Sequence, residues 1–259
     1  MRRHWRIPMV LVLVGLAAGA PVAQSRVTVS LGHAGEVTDT AGRDDLERGF
    51  SVGTDGKLVV WDLEHDGLRR SWQVSHQPIT RIAIHPDESQ AVLFVEEGLR
   101  DGRLVGLDWR TGEELFSTPV EGRPDYLAYS PRGTFVVYTI TSFNSMRFLD
   151  ARDGSSRNFL DDGFGVVGFV QMARSERNVM TYVPSRGEFI YWQLQSGDEL
   201  QSVSTRARLD HLTLIDQRTQ RFLAGADDEQ LVVVDNLTGD TEASYPIRPV
   251  HDIAYDAET

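Results

Sequence analysis

No cysteine occurs in the 259 residues. That excludes a disulfide framework, a thiolate nucleophile, a cysteine-ligated metal and a cysteine for lipid attachment. Lysine is nearly absent as well: Lys57 is the only one among 26 basic residues. We ascribe that bias to coding and expect no arginine-lined site from it. Positive charge is short overall, with 26 basic against 38 acidic residues and a formal net charge of −12. So acidic a surface repels nucleic-acid phosphates and anionic lipid heads, so neither is an expected partner. Long apolar runs are missing too. The stretch from Ile7 to Ala20 falls short of the ~20 residues that a membrane-spanning helix needs. It follows Arg2, Arg3 and Arg6 and gives way to Gln24 and Ser25, the layout of a secretory leader over residues 1–25, cut after Ala23 or Ser25. An uncleaved membrane anchor is the alternative. The leader predicts an exported bacterial protein, periplasmic or extracellular, with no membrane insertion after cleavage. Cleavage would remove three arginines and no acid, taking the charge from −12 to −15.

What the sequence does have is a repeat. Five segments end alike, in a β-rich run, a position that is usually Asp, and a turn closing on Gly. They are Leu58–Asp62 to Gly67, Leu104–Asp108 to Gly112, Met146–Asp150 to Gly154, Phe189–Gln193 to Gly197, and Leu231–Asp235 to Gly239. The anchors at 62, 108, 150, 193 and 235 are spaced by 46, 42, 43 and 42 residues. Self-similarity at that period signals stacked supersecondary units. Each has room for four short strands, and the β-branched and aromatic composition favours propeller blades over helical repeats. A second landmark, a strand leaving into a polar turn, precedes each anchor, most clearly at Ile79–Asp87 and Tyr126–Gly133. Proline is acceptable there, at a strand exit.

Here the chain resembles the WD40-repeat family. Gly32-His33 matches that family's GH pair, and Ser51-Val52-Gly53-Thr54-Asp55-Gly56 with Trp61-Asp62 aligns to its S-G-S-x-D-G…W-D stretch. The resemblance implies that His33, Ser51, Asp55 and Trp61 form a hydrogen-bonded structural tetrad. Each is a polar group that needs a partner once buried. Other blades are degenerate. Blade 2 keeps Ser75-His76 and Asp101-Gly102 but has Leu107 for Trp, and blade 5 has Val234. By the match, His76 takes the same structural place as His33. The expected fold is all-β, a propeller of four-stranded antiparallel blades at about 33–75, 76–121, 122–163, 164–206 and 207–248, with a sixth begun at 249–259. In the family, Val27–Leu31 would be the outer strand of the closing blade, whose other strands should come from the C-terminus. The sixth blade has only its first strand before Thr259, so the propeller is expected to be part of a larger ring and a longer chain.

Candidate chemistry is sparse. Gly49-Phe50-Ser51-Val52-Gly53 spells G-x-S-x-G, but that elbow needs a strand–turn–helix, and here a β-turn and another strand follow. The histidines at 4, 33, 65, 76, 85, 211 and 251 show no metal-ligand spacing. Acidic pairs such as Asp44-Asp45 and Asp227-Asp228 read as solvated turns. No catalytic residue, metal site or cofactor is expected. Asn236-Leu237-Thr238 fits a glycosylation sequon, taken as chance.

The expected function is non-catalytic, a scaffold for a protein or peptide partner. Loops on a rigid frame can vary without disturbing the core. On the family pattern the partner face lies near Arg100, Asp101, Arg123, Asn144, Arg186 and Asp228. Two alternatives remain. The propeller could be the recognition or regulatory part of a longer chain with an effector such as a caspase-like protease. It could also be quinoprotein-like, since Leu107–Phe116 resembles that group's L-D-x-x-T-G-x-x-x-W repeat, with Phe116 where a Trp would dock one blade on the next.

Overall fold

A computed structural model of the chain describes residues 32–42, 47–65, 67–99, 101–140, 145–157, 167–216, 221–226 and 230–246. The expected leader, the strand at Val27–Leu31 and the sixth-blade strand lie outside them. So do His4, His251 and the acidic pairs named above. Among the described residues, twenty strands form five four-stranded antiparallel sheets, each a simple meander. Blade 1 contains β1 (Val37–Gly42), β2 (Arg48–Gly53), β3 (Lys57–Asp62) and β4 (Gly67–Gln73). Blade 2 contains β5 (Ile79–Ile84), β6 (Ala91–Glu96), β7 (Asp101–Asp108) and β8 (Glu113–Glu121). Blade 3 contains β9 (Tyr126–Tyr129), β10 (Phe135–Ile140), β11 (Ser145–Asp150) and β12 (Ser156–Arg157). Blade 4 contains β13 (Phe169–Met172), β14 (Asn178–Val183), β15 (Glu188–Gln193) and β16 (Glu199–Ser204). Blade 5 contains β17 (Leu209–Asp216), β18 (Arg221–Ala226), β19 (Gln230–Asp235) and β20 (Thr241–Pro246).

The core lies between blades. Strand side chains alternate in direction, so a second strand can serve two neighbours at once. In β6, Ala91, Leu93 and Val95 join the cluster with blade 1, while Val92 and Phe94 join the cluster with blade 3. In β14, Val179 and Val183 face blade 3, and Met180 and Tyr182 face blade 5. Stability therefore rests on nearest-neighbour interfaces, as in other repeat folds.

The Asp-to-Gly turns explain the spacing of the repeat. Asp108 Oδ1 accepts the N–H groups of Arg110 and Thr111, and Asp235 Oδ1 those of Leu237 and Thr238. The closing glycine returns its own N–H to the anchor carbonyl, as Gly112 does to Asp108 at 2.7 Å. Gly112 has φ +80°, and a Cβ on it would sit 2.6 Å from the Trp72 ring of the preceding blade. Only glycine suits such a place. Trp72 completes the contact by donating Nε1–H to the Trp109 carbonyl at 2.7 Å. Phe116 lies against Gly154 of blade 3 in the same way.

The turns between first and second strands join neighbouring blades as well. Glu88 and Glu176 both adopt φ +56°, an unusual conformation for a residue with a side chain. Each carboxylate reaches the preceding blade: Glu88 pairs with Arg48, and Glu176 accepts Arg132 N–H at 2.7 Å. Those contacts offset the backbone cost.

Outer strands carry a feature that the repeat did not announce. In blade 1, Val60 pairs with Arg70 and Trp61 with Leu68, which leaves Arg69 as an extra residue in a β-bulge. Leu115, Leu200 and Glu242 hold the same place in blades 2, 4 and 5.

Candidate functional site

A continuous hydrogen-bonded path crosses blade 1. Ser51 on β2 and Trp61 on β3 lie diagonally across adjacent strands, Ser51 being paired with Val59 and Trp61 with Gly49, and His33 reaches them from the segment before β1. Trp61 donates Nε1–H to Ser51 Oγ at 2.8 Å, and Ser51 Oγ lies 2.9 Å from His33 Nε2. His33 Nδ1 lies 2.9 Å from Asp55 Oδ1. Asp55, as an acceptor, sets the order: Nδ1–H donates to Asp55, Nε2 accepts the Ser51 hydroxyl, and Ser51 accepts the indole. Asp55 also accepts Ala34 N–H at 2.7 Å and Lys57 N–H at 3.2 Å. Burial of the Asp55 carboxyl acts to raise its pKa. The His33 hydrogen bond and the two backbone N–H groups outweigh that, and the group is held below its ordinary 3.8. The side chains of His33 and Asp55 are 3% and 10% exposed.

The path fixes the turn between β2 and β3. It also occupies Ser51: the residue is 4% exposed, paired along both neighbouring strands, and already holds an indole donor. The G-x-S-x-G letters thus fall inside a strand.

Other blades keep less. Blade 4 retains half of the path, with Trp192 Nε1–H donating to Thr181 Oγ1 at 2.9 Å. Thr181 went unnoticed in the sequence because it lies one residue further from its tryptophan than Ser51 does. In blade 2 the matching strand pair is Leu93 and Leu107, both buried and apolar. With neither a hydroxyl nor an indole there, His76 does not take the structural place expected of it; its side chain is exposed. His85 does hold a blade interface, with Nε2 lying 3.1 Å from Gly133 O and Nδ1 2.5 Å from Asp87 Oδ1.

Of the expected partner-face residues, Asp101, Arg123 and Arg186 are exposed, while Arg100, Asn144 and Asp228 fall outside the described residues. Arg123 and Asp101 lie at the blade end that carries the connections between second and third strands and between blades. Arg123 Nε reaches Glu96 at 3.3 Å, and Glu96 also accepts the Thr80 hydroxyl. Between β6 and β7 stands Leu99, with 104% relative exposure, a residue that no motif in the sequence marks. A cleft of 380 Å³ opens between blades 4 and 5, lined by Gln171, Arg174, Asn178, Met180, Tyr191 and Asn236 among others. Burial, then Asp235, pushes the Tyr191 phenol up to about 12. Among the described residues, no three or more His, Asp or Glu side chains are grouped to hold a metal ion.

Comparison with known proteins follows the same lines. A family described as an N-terminal beta-propeller domain matches residues 17–253. An uncharacterized protein of Treponema pallidum (strain Nichols) is 25% identical over 199 residues, 77% of this chain and 32% of that protein. The crystal structure of the computationally designed Ika8 protein has a TM-score of 0.61 at 21% identity, covering 84% of this chain and 64% of that one, a likeness of fold. The chain thus spans about a third of the relative's length and under two thirds of the designed protein's. Five meander sheets with their cores between them, together with a match over nearly the whole length, place the chain in the family of N-terminal β-propeller domains.

Proposed function

We propose that the chain is a WD40-type propeller that works outside the cytoplasm as a non-catalytic platform for a protein or peptide partner. The observation that carries this reading is Leu99. A fully exposed leucine at a hairpin tip, flanked by Asp101 and near the loop that bears Arg123, has the make-up of an apolar anchor inside a polar rim. The path from Trp61 to Asp55 supports the WD40 assignment, because it joins the four residues that the family resemblance singles out. The enclosed Ser51 hydroxyl supports a non-catalytic role. Residues 1–25 support export, and N-terminal sequencing of the mature protein tests it. A start after Ala23 or Ser25 is expected; an intact leader on a cytosolic protein would overturn it.

Partner capture is tested with Leu99→Asp and with Asp101→Arg/Arg123→Glu, by quantitative recovery of co-purifying proteins. A partner held by the parent chain and lost from both variants, with an unchanged circular dichroism spectrum, is expected. Equal recovery would sink the reading. A second reading has its own support. The Treponema relative is about three times as long as the stretch it shares, and the matching family is described as N-terminal. On that reading the propeller is the recognition part of a longer protein.

A further inference from the structure

Arginines converge at the opposite end of blades 1 and 2. Arg48, Arg69, Arg70 and Arg110 surround a cleft of 180 Å³ floored by Trp109. The sequence gives no hint of this, because three separate segments supply them, and the expectation of no arginine-lined site fails here. Arg48 opens β2. The bulge in β4 turns Arg69 and Arg70, consecutive in the chain, toward one side. Arg110 follows Trp109 in the turn after β7.

The floor is rigid. Trp109 is 4% exposed, its Nε1–H donates to the Glu88 carbonyl at 2.7 Å, and its own carbonyl holds Trp72. Guanidinium groups lie over these rings: Arg48 and Arg110 at 5.8 and 4.9 Å from Trp109, and Arg70 at 5.9 Å from Trp72. Such stacking orders a guanidinium while leaving its N–H edge free. Counter-charge is incomplete. Glu88 holds Arg48, Glu47 stands 4.0 Å from it, and Asp62 reaches Arg69 at 3.9 Å. Arg70 and Arg110 meet no carboxylate within ion-pair distance among the described residues.

We infer that this cleft binds a phosphate group, gripped by Arg70 and Arg110 and enclosed by Arg48 and Arg69. Planar guanidinium forks match phosphate oxygens two at a time, and several forks converging on one point suit a tetrahedral dianion better than a flat carboxylate. The cleft volume of 180 Å³ leaves room for one such group. The occupant is small: the chain's overall net charge of −12 repels an extended polyanion.

The test uses the full chain and inorganic phosphate, titrated at constant ionic strength against chloride, with the indole N–H resonances of Trp72 and Trp109 as reporters. Saturable shifts at both, half complete near or below about 1 mM, are expected. Arg70→Gln/Arg110→Gln should weaken binding at least about tenfold, and Arg110→Lys, which keeps the charge and loses the fork, should weaken it less. Arg152→Gln, an exposed arginine in the matching turn of blade 3, should change nothing. Shifts that never saturate, that chloride reproduces, or that survive in the double variant overturn the site. Competition by phosphatidylglycerol vesicles would support the site with a headgroup as the source of phosphate; lack of competition would support it with a soluble phosphate.

Discussion

Trp192 donates its indole Nε1–H to the Thr181 hydroxyl at 2.9 Å, with the two residues 8% and 0% exposed. The pair occupies the same places on the second and third strands of blade 4 that Ser51 and Trp61 occupy in blade 1. Their second partners differ. Ser51 donates onward to His33, whereas the Thr181 hydroxyl turns back to the Ile190 carbonyl at a long 3.5 Å. The Thr181 hydroxyl is therefore satisfied within its own strand pair, whereas the Ser51 hydroxyl is one step in a path that reaches a loop.

That closure makes the blade-4 pair separable. Trp192→Phe leaves the buried Thr181 oxygen without its donor, and we expect a loss of about 1–3 kcal/mol in urea denaturation. Adding Thr181→Val removes the orphaned hydroxyl, so the double variant should lose less than the sum of the two single variants. Strict additivity would show that the hydrogen bond contributes nothing specific.

Asp55 predicts an acid limb. Its folded pKa is lowered, so its contribution is fully present above the unfolded value of about 3.8 and is lost as pH falls through the lower folded value. Asp62, Asp87 and Asp153 are lowered too, but by partners in half-exposed or exposed turns where solvent screens them, so they contribute little. Urea midpoints measured from about pH 7 down to about pH 2.5 should fall more steeply below pH 4 for the parent chain than for Asp55→Asn. The variant should also be the less stable of the two at pH 7. Parallel acid limbs would remove Asp55 as the cause.

How much of this was legible follows from which interactions are local. The Asp-to-Gly turns were visible because Asp108 and Gly112 satisfy one another within five residues, and a turn writes that demand into adjacent letters. The path through blade 1 was visible through family resemblance, since His33 and Trp61 are too far apart for spacing alone to join them. The bulge at Arg69 was not visible: nothing in Gly67–Gln73 marks the extra residue, whose place is set by how β4 settles on β3. His76 misled because a Ser-His pair survives where the strand hydroxyl and indole do not; Leu93 and Leu107 stand in their places and pack instead. The arginine cleft needed blades 1 and 2 to be brought together before it existed.

His85 and Gly133 carry the last prediction. The imidazole bridges blades 2 and 3, with Nε2 3.1 Å from Gly133 O and its ring edge-on to Tyr129 at 5.1 Å. Gly133 has φ +74°, and any Cβ on it would run into the His85 ring. Gly133→Ala is thus opposed twice, by about 1–2 kcal/mol for the left-handed backbone and again by the collision. His85→Ala removes the collision and leaves only the backbone cost. A double-mutant cycle followed by urea denaturation should give a coupling of at least about 1 kcal/mol, with Gly133→Ala milder in the His85→Ala background. Equal costs in both backgrounds would mean that the ring does not rest on Gly133. Because each blade is held mainly by its neighbours, loosening this contact should also lower the cooperativity of unfolding, seen as a reduced slope of the urea transition.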